Sequence, residues 1–204
     1  MQKFDLTETD ADKLVNKQTL KAKHLTLKTM KSSNHTTSEV LLLVDISGSM
    51  DGEKLDNLKK ALMTVWNPGV KAIGFESSLW EIERSDIQSL TARSSTYMLA
   101  ALQEAWSQNP THIVLLTDGE PTDGTKQEIL AQVGEHPKPP IDTIGIGHRN
   151  GRDYSPDFLK EISRLTGGRF IDVGEPIQLT QTLKYLLDYK PTSLQEAKKG
   201  VIQL

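Results

Sequence analysis

The stretch Val40-Leu41-Leu42-Leu43-Val44-Asp45-Ile46-Ser47-Gly48-Ser49-Met50 decides how this chain reads. Its continuous apolar run, Val40 to Val44, lacks the in-out alternation of a strand that faces water on one side. Such a run suits a strand buried on both faces, and that implies a parallel sheet. The polar stretch Asp45 to Lys54 follows at once. Leu55, Leu58, Leu62 and Val65 then recur at spacings of three, four and three. That spacing puts them on one face of a helix, which Asn67-Pro68-Gly69 ends. The chain thus begins its regular part as strand, oxygen-rich loop, helix.

The alternation continues. Val70 to Phe75 and Leu79 to Ile82 read as two short strands joined through Glu76-Ser77-Ser78, a hairpin that supplies one antiparallel edge strand. Met98, Leu99, Leu102 and Trp106 give the next helical face. Ile113 to Leu116 is a second buried strand, followed by a helix carrying Ile129, Leu130 and Val133. Ile141 to Ile146 is a further strand. Ser155 can cap and Pro156 can open a helix with Phe158, Leu159, Ile162 and Leu165 inward, stopped by Gly167-Gly168 before a strand from Arg169 to Val173. A last helix runs from Pro176 to Asp188. This order predicts an α/β fold: a doubly wound, mostly parallel, Rossmann-like sheet flanked by helices.

The 204 residues suffice for one sizeable domain. Residues 1–38 read as a basic arm and linker, because positions 13 to 38 hold six lysines and no acid and end in Ser32-Ser33-Asn34-His35-Thr36-Thr37-Ser38. Residues 39–190 form the domain and 191–204 a polar tail. The net charge of -3 selects no class of partner. No aromatic residue interleaves the lysines of the arm, so stacking on nucleic-acid bases is not expected. The absence of cysteine removes disulfides, thiolate zinc sites and cysteine nucleophiles together, and agrees with a reducing compartment. No apolar run approaches the roughly 20 residues of a membrane-spanning helix, and the first 20 residues lack a signal-peptide core. The expected location is therefore cytoplasmic, without a membrane.

Ligands of such sheets bind beyond the carboxyl ends of the strands, which directs attention to the loops after Val44 and Leu116. In Asp45-Ile46-Ser47-Gly48-Ser49 the i, i+2, i+4 spacing can turn one carboxylate and two hydroxyls toward a common point, and Gly48 lets the backbone fold back tightly. Thr117-Asp118-Gly119-Glu120-Pro121 brings a second carboxylate to the same crevice if the two strands are neighbours. Hard oxygen donors of this kind favour Mg2+ or Mn2+ over zinc, and the few carboxylates argue against calcium. Two aspartates only balance a divalent charge, which would leave the ion receptive to a further carboxylate. Met50, Asp51 and Glu120 follow on the same rim, where the two acids read as solvated loop charges. The five histidines stand at no metal-ligand spacing and read, with Trp66, Trp80 and Trp106, as surface or packing residues.

Asp-x-Ser-x-Ser after the first buried strand and Thr-Asp-Gly after the fourth strand resemble the metal-ion-dependent adhesion site of von Willebrand factor A (VWA) domains. The resemblance covers about residues 39 to 188. It implies a third-loop threonine, whose match by order and context is Thr96, preceded here by Ser94 and Ser95 where the family often has glycines. A cap on the helix that starts near Met98 is the other role open to Thr96. The resemblance further implies that Ser47, Ser49 and Thr96 bind the cation directly, Asp45 and Asp118 directly or through water, and that an acidic side chain of a partner completes the shell.

The leading expectation is a non-catalytic, metal-dependent protein-binding module that captures an acidic residue of its partner. The family resemblance suggests an intracellular adaptor or cofactor of a MoxR-type AAA+ ATPase. A Mg2+-dependent phosphate-ester hydrolase is the alternative, disfavoured because Ser47 stands where a second aspartate would follow the nucleophile and no lysine or histidine near the motifs offers an acid or base. Ser49 lies outside a Gly-x-Ser-x-Gly elbow, against a serine hydrolase. A third possibility is an assembly protein docking through the basic arm.

Overall fold

The structure, a computed structural model, describes residues 40–93, 95–135, 139–147, 154–173 and 176–188. The arm and tail expected at 1–38 and 191–204, and Ser94, lie outside the described residues. The strands are β1 (Val40–Asp45), β2 (Lys71–Phe75), β3 (Leu79–Glu81), β4 (His112–Thr117), β5 (Ile141–Ile146) and β6 (Phe170–Val173). The helices are α1 (Glu53–Val65), α2 (Met98–Ser107), α3 (Lys126–Glu135), α4 (Pro156–Thr166) and α5 (Pro176–Asp188). One sheet of six strands in the order β3-β2-β1-β4-β5-β6 results, antiparallel only between β2 and β3. The expected doubly wound α/β fold with one antiparallel edge strand is what forms.

The apolar run of β1 explains why the sheet is covered twice. Leu42 and Val44 point into a core completed by Leu55, Leu58 and Leu62 of α1 and Leu179 and Leu183 of α5. Leu41 and Leu43 point the other way, into a core built with α2, α3 and α4 through Leu102, Ile129 and Leu159. Alternate side chains of one strand thus serve two cores. The tryptophans follow the packing expectation: Trp106 is buried in the second core, and Trp66 and Trp80 pack against the first. Among the described residues no helix is long and apolar enough to cross a membrane.

The strand order fixes the position of the site. From β1 the chain enters α1 on one face of the sheet and reaches β2 on one side. From β4, which pairs with the other side of β1, it enters α3 on the opposite face. The loops leaving β1 and β4 therefore part in opposite directions and open a crevice between them, the switch point at which such sheets accept ligands. Strand β4 extends one residue beyond the predicted run at each end, and the extension to Thr117 bears directly on this crevice.

Candidate metal centre

Parallel pairing of β1 with β4 sets Val44 opposite Leu116, so the next residues, Asp45 and Thr117, emerge side by side at the carboxyl end of the sheet. Both are fully buried. The Thr117 hydroxyl donates to Asp45 Oδ2 at 2.5 Å, while the backbone N–H of Ser47 donates to Asp45 Oδ1 at 2.8 Å. Each carboxylate oxygen of Asp45 is therefore oriented by one donor and keeps further acceptor capacity. Ser47 Oγ and Ser49 Oγ lie 3.0 Å apart. The first motif thus gathers one carboxylate and two hydroxyls, as its spacing predicts. The device differs in part from expectation: Gly48 opens a short 3-10 turn, Gly48–Met50, and the left-handed glycine of this loop is Gly52, with φ +77, just before α1.

Asp118 follows Thr117 and is also fully buried. Its Oδ2 lies 3.3 Å from the ammonium of Lys54, which also donates to the Ser49 carbonyl at 3.0 Å. Its Oδ1 is buried and has no hydrogen-bond partner among the described residues. Gly119 lets the chain turn directly after it, at φ +88, and donates its N–H to Thr117 Oγ1 at 3.0 Å. Thr117 is thus the common post of the site, accepting from one motif residue and donating to the aspartate of the neighbouring strand.

The third loop is stitched to both motifs through its backbone. Arg93 N–H donates to the Ile46 carbonyl at 3.0 Å, Thr96 N–H donates to Thr122 Oγ1 at 2.9 Å, and Thr122 N–H returns to the Thr96 carbonyl at 2.9 Å. Thr96 itself is buried. It is not a helix cap: Tyr97 precedes α2, and the free N–H groups of Leu99 and Ala100 are met by the Asp123 carboxylate at 3.1 and 2.8 Å. Asp123, beyond the second motif, therefore holds the third loop and α2 in place.

Charge at the site is poorly balanced. Burial pushes the Asp45 carboxyl up to about 6, and the negative charge of Asp118 adds to that rise, against the lowering effect of the Thr117 and Ser47 bonds. Two buried aspartates with one orphaned oxygen, beside two serine hydroxyls, form a set of hard oxygen donors short of positive charge. Among the described residues no three His, Cys, Asp or Glu side chains gather as a metal site, so the two aspartates need hydroxyl donors to complete one. The donor chemistry fits a divalent cation of the magnesium type.

Several neighbours escape a reading of the motifs alone. Lys54 stands beside the second motif, against the expectation that no lysine lies near the motifs; the first turn of α1 folds it back over Ser49. Met50, expected on the rim, is fully buried in the core. Asp51 is exposed, as a solvated charge would be. Glu120 is half-exposed but not merely solvated: it accepts from Ser155 Oγ and lies 2.9 Å from Lys126 Nζ. Ser155 precedes α4 as predicted, yet its hydroxyl makes no capping bond and is held instead by Glu120 and Lys126.

Comparison with known proteins agrees with this architecture. The family described as von Willebrand factor type A domain matches residues 38–68 and 64–171. Human von Willebrand factor A domain-containing protein 3B is 30% identical over 152 residues, covering 64% of this chain and 11% of that protein. Bovine inter-alpha-trypsin inhibitor heavy chain H1 is 27% identical over 181 residues, 71% of this chain and 20% of that protein. The chain thus spans a tenth to a fifth of these relatives. Among solved structures, a von Willebrand factor type A protein from Catenulispora acidiphila aligns with a TM-score of 0.59 at 19% identity, over 72% of this chain and 41% of that one. The ArnB paralog VWA2 from Sulfolobus acidocaldarius aligns with a TM-score of 0.58 at 21% identity, over 74% and 45%. Fold and family match converge, and the chain belongs to the von Willebrand factor type A domain family.

Proposed function

We propose that this domain is a non-catalytic protein-binding module whose metal-ion-dependent adhesion site, made of Asp45, Ser47, Ser49, Thr96 and Asp118, holds Mg2+ or Mn2+ and captures an acidic side chain of a partner. The observation that carries the proposal is the buried, unpartnered Oδ1 of Asp118 at the switch point of the sheet. An orphaned carboxylate oxygen costs on the order of a few kcal/mol unless something positive meets it. A divalent ion bound there supplies a Lewis-acidic position for a carboxylate from outside. Thr117 and the Ser47 N–H orient Asp45, the 3-10 turn aligns the two serine hydroxyls, and the Thr96–Thr122 bonds hold the third loop against the second motif. In this reading these residues bind and orient.

A partner of the MoxR-type AAA+ ATPase class is the form of this function the family resemblance suggests. The test has two arms. Calorimetric titration of the chain with Mg2+ and Mn2+ is expected to give one site, lost in Asp118→Ala. Co-purification with a MoxR-type ATPase from the same source is expected to fail in EDTA and in Asp45→Ala. Undiminished capture in both conditions would remove the metal from the contact, and metal-dependent turnover of a phosphate ester lost in Ser47→Ala would replace binding by catalysis.

A further inference from the structure

Lys54 is an unexpected residue for its position. It is the second residue of α1, where the helix dipole disfavours a cation, and the other charged side chains of that first turn are the acids Glu53 and Asp56. Helix stability therefore does not account for it. Its side chain turns instead into the crevice, where Nζ donates to the Ser49 carbonyl at 3.0 Å and lies 3.3 Å from Asp118 Oδ2, with 17% of the side chain exposed. The Ser49 bond aims the ammonium, and its target is one of the two carboxylates on which the proposed cation depends.

We propose that Lys54 is a tethered counter-cation that competes with the divalent ion for Asp118 and thereby sets how tightly this domain takes metal. The inference rests on the metal reading above and deepens it. An ammonium and a divalent ion at the same carboxylate repel each other, and in a partly buried crevice little solvent screens them. Occupation of the site by a metal must therefore either displace the ammonium or overcome its charge, and both weaken binding. The same ammonium adds positive charge when the ion is present, so the two aspartates no longer balance the site and an acidic partner is drawn to it more strongly. Lys54 thereby couples weak uptake of metal to strong demand for the partner's carboxylate.

The test uses Mn2+ alone as probe, on the full chain at low ionic strength and pH 7.5, by calorimetry and by the Mn2+-dependent rise in melting temperature. Lys54→Met keeps the apolar stem and removes the charge. It is expected to bind Mn2+ on the order of tenfold more tightly than the unaltered chain, with a correspondingly larger thermal shift. Lys54→Arg, which keeps the charge, is expected to retain the weaker affinity; Lys54→Gln serves as the neutral variant should Lys54→Met not fold. Asp118→Ala identifies the ion's site by abolishing uptake. Equal or weaker Mn2+ binding by the neutral variants, with uptake still lost in Asp118→Ala, overturns the role of Lys54 and leaves the metal reading standing. No uptake by any of these proteins overturns both.

Discussion

Asp45 and Asp142 are both fully buried in the same sheet, yet the protein surrounds them in opposite ways. Asp142 lies near the start of β5, at the end of the sheet away from the loops described above. Arg169 Nη2 reaches its Oδ2 at 2.7 Å, the Arg169 backbone N–H reaches Oδ1 at 2.7 Å, and His112 Nε2 lies 3.1 Å from Oδ2. Burial alone would raise the Asp142 carboxyl, but the nearness of His112 and the bonds from Arg169 outweigh it and hold the group below its ordinary value. At the other end Asp45 sits beside a second buried aspartate, and its carboxyl is pushed up to about 6. One end of the sheet compensates its buried charge from within. The other sets a single ammonium, that of Lys54, against two aspartates and leaves Asp118 Oδ1 without a partner among the described residues, an asymmetry that supports the metal reading proposed above.

The comparison breaks most visibly at the satisfied end. Asp142→Ala removes the acceptor of two Arg169 bonds and the carboxylate beside His112, and is expected to destabilise the domain by about 3 to 4 kcal/mol, measured by urea unfolding at pH 7. That is the lower part of the range for breaking a buried ion pair, because Arg169 reaches solvent. A loss below about 1 kcal/mol would mean that Asp142 is not held as described.

The unsatisfied end should respond with the opposite sign. The folded-state value of Asp45, about 6, exceeds the ordinary 3.8. The stability this group contributes is thus fully present below about pH 4 and is lost as pH rises through 6, a decline of about 3 kcal/mol in EDTA. Asp142, held low, contributes stability above its ordinary range that disappears only as pH falls below it. Asp45→Asn, with its amide nitrogen turned to Thr117 Oγ1, is expected to flatten the decline between pH 4 and 7 and to be the more stable protein above pH 6. Mn2+ affinity of the unaltered chain should fall as pH drops through 6, because the proton and the ion compete for the same carboxylate. Unfolding curves and metal titrations across that range check both, and stability independent of pH from 4 to 7 would contradict the burial of an uncompensated Asp45.

Thr117→Val sharpens the comparison at a single hydroxyl. The change conserves volume but leaves Asp45 Oδ2 without the hydroxyl and the Gly119 N–H without an acceptor. An expected loss of about 2 kcal/mol at pH 7 follows from two buried polar groups left open. The Asp45 carboxyl should rise further, since the bond that lowers it most is gone. The shift of the stability decline to higher pH distinguishes this role from simple packing.

Much of the fold was legible because the physics that writes it is local. A run such as Val40 to Val44 must be covered on both sides, and the three- and four-residue spacing of Leu55, Leu58 and Leu62 leaves only one helical face to bury. The places of Asp45 at the end of β1, of Ser47 and Ser49 in the loop after it, and of Asp118 directly after β4 follow from those strands. Thr117 is legible only as part of a motif, since its role depends on the β1–β4 register. Lys54 and Asp123 are not legible for a related reason. Lys54 lies in what reads as an ordinary helix start, and Asp123 in what reads as a loop charge; their partners are Asp118 and the N–H groups of Leu99 and Ala100, remote in the chain. Ser155 shows the converse: a good capping residue in sequence whose hydroxyl is claimed by Glu120 and Lys126.

The smallest expected effect on folding separates the fold from the site most cleanly. Gly119 has φ +88, and a Cβ there would stand 3.1 Å from Leu159 Cγ and 3.3 Å from Ser155 Cβ. Both neighbours are side chains, one in α4 and one just before it, which can yield by a few tenths of an ångström, so Gly119→Ala should cost only about 1 kcal/mol, mostly backbone strain. Yet Gly119 also holds the Thr117 hydroxyl and follows Asp118 directly, so relief of that strain moves the carboxylate that carries the orphaned oxygen. Metal affinity should therefore fall by more than the stability does, at least tenfold against the fivefold that about 1 kcal/mol represents. Parallel urea unfolding and Mn2+ titration of this variant measure the two quantities. Equal losses would mean that the loop after β4 tolerates displacement and that Asp118 does not need to be held where the sheet puts it.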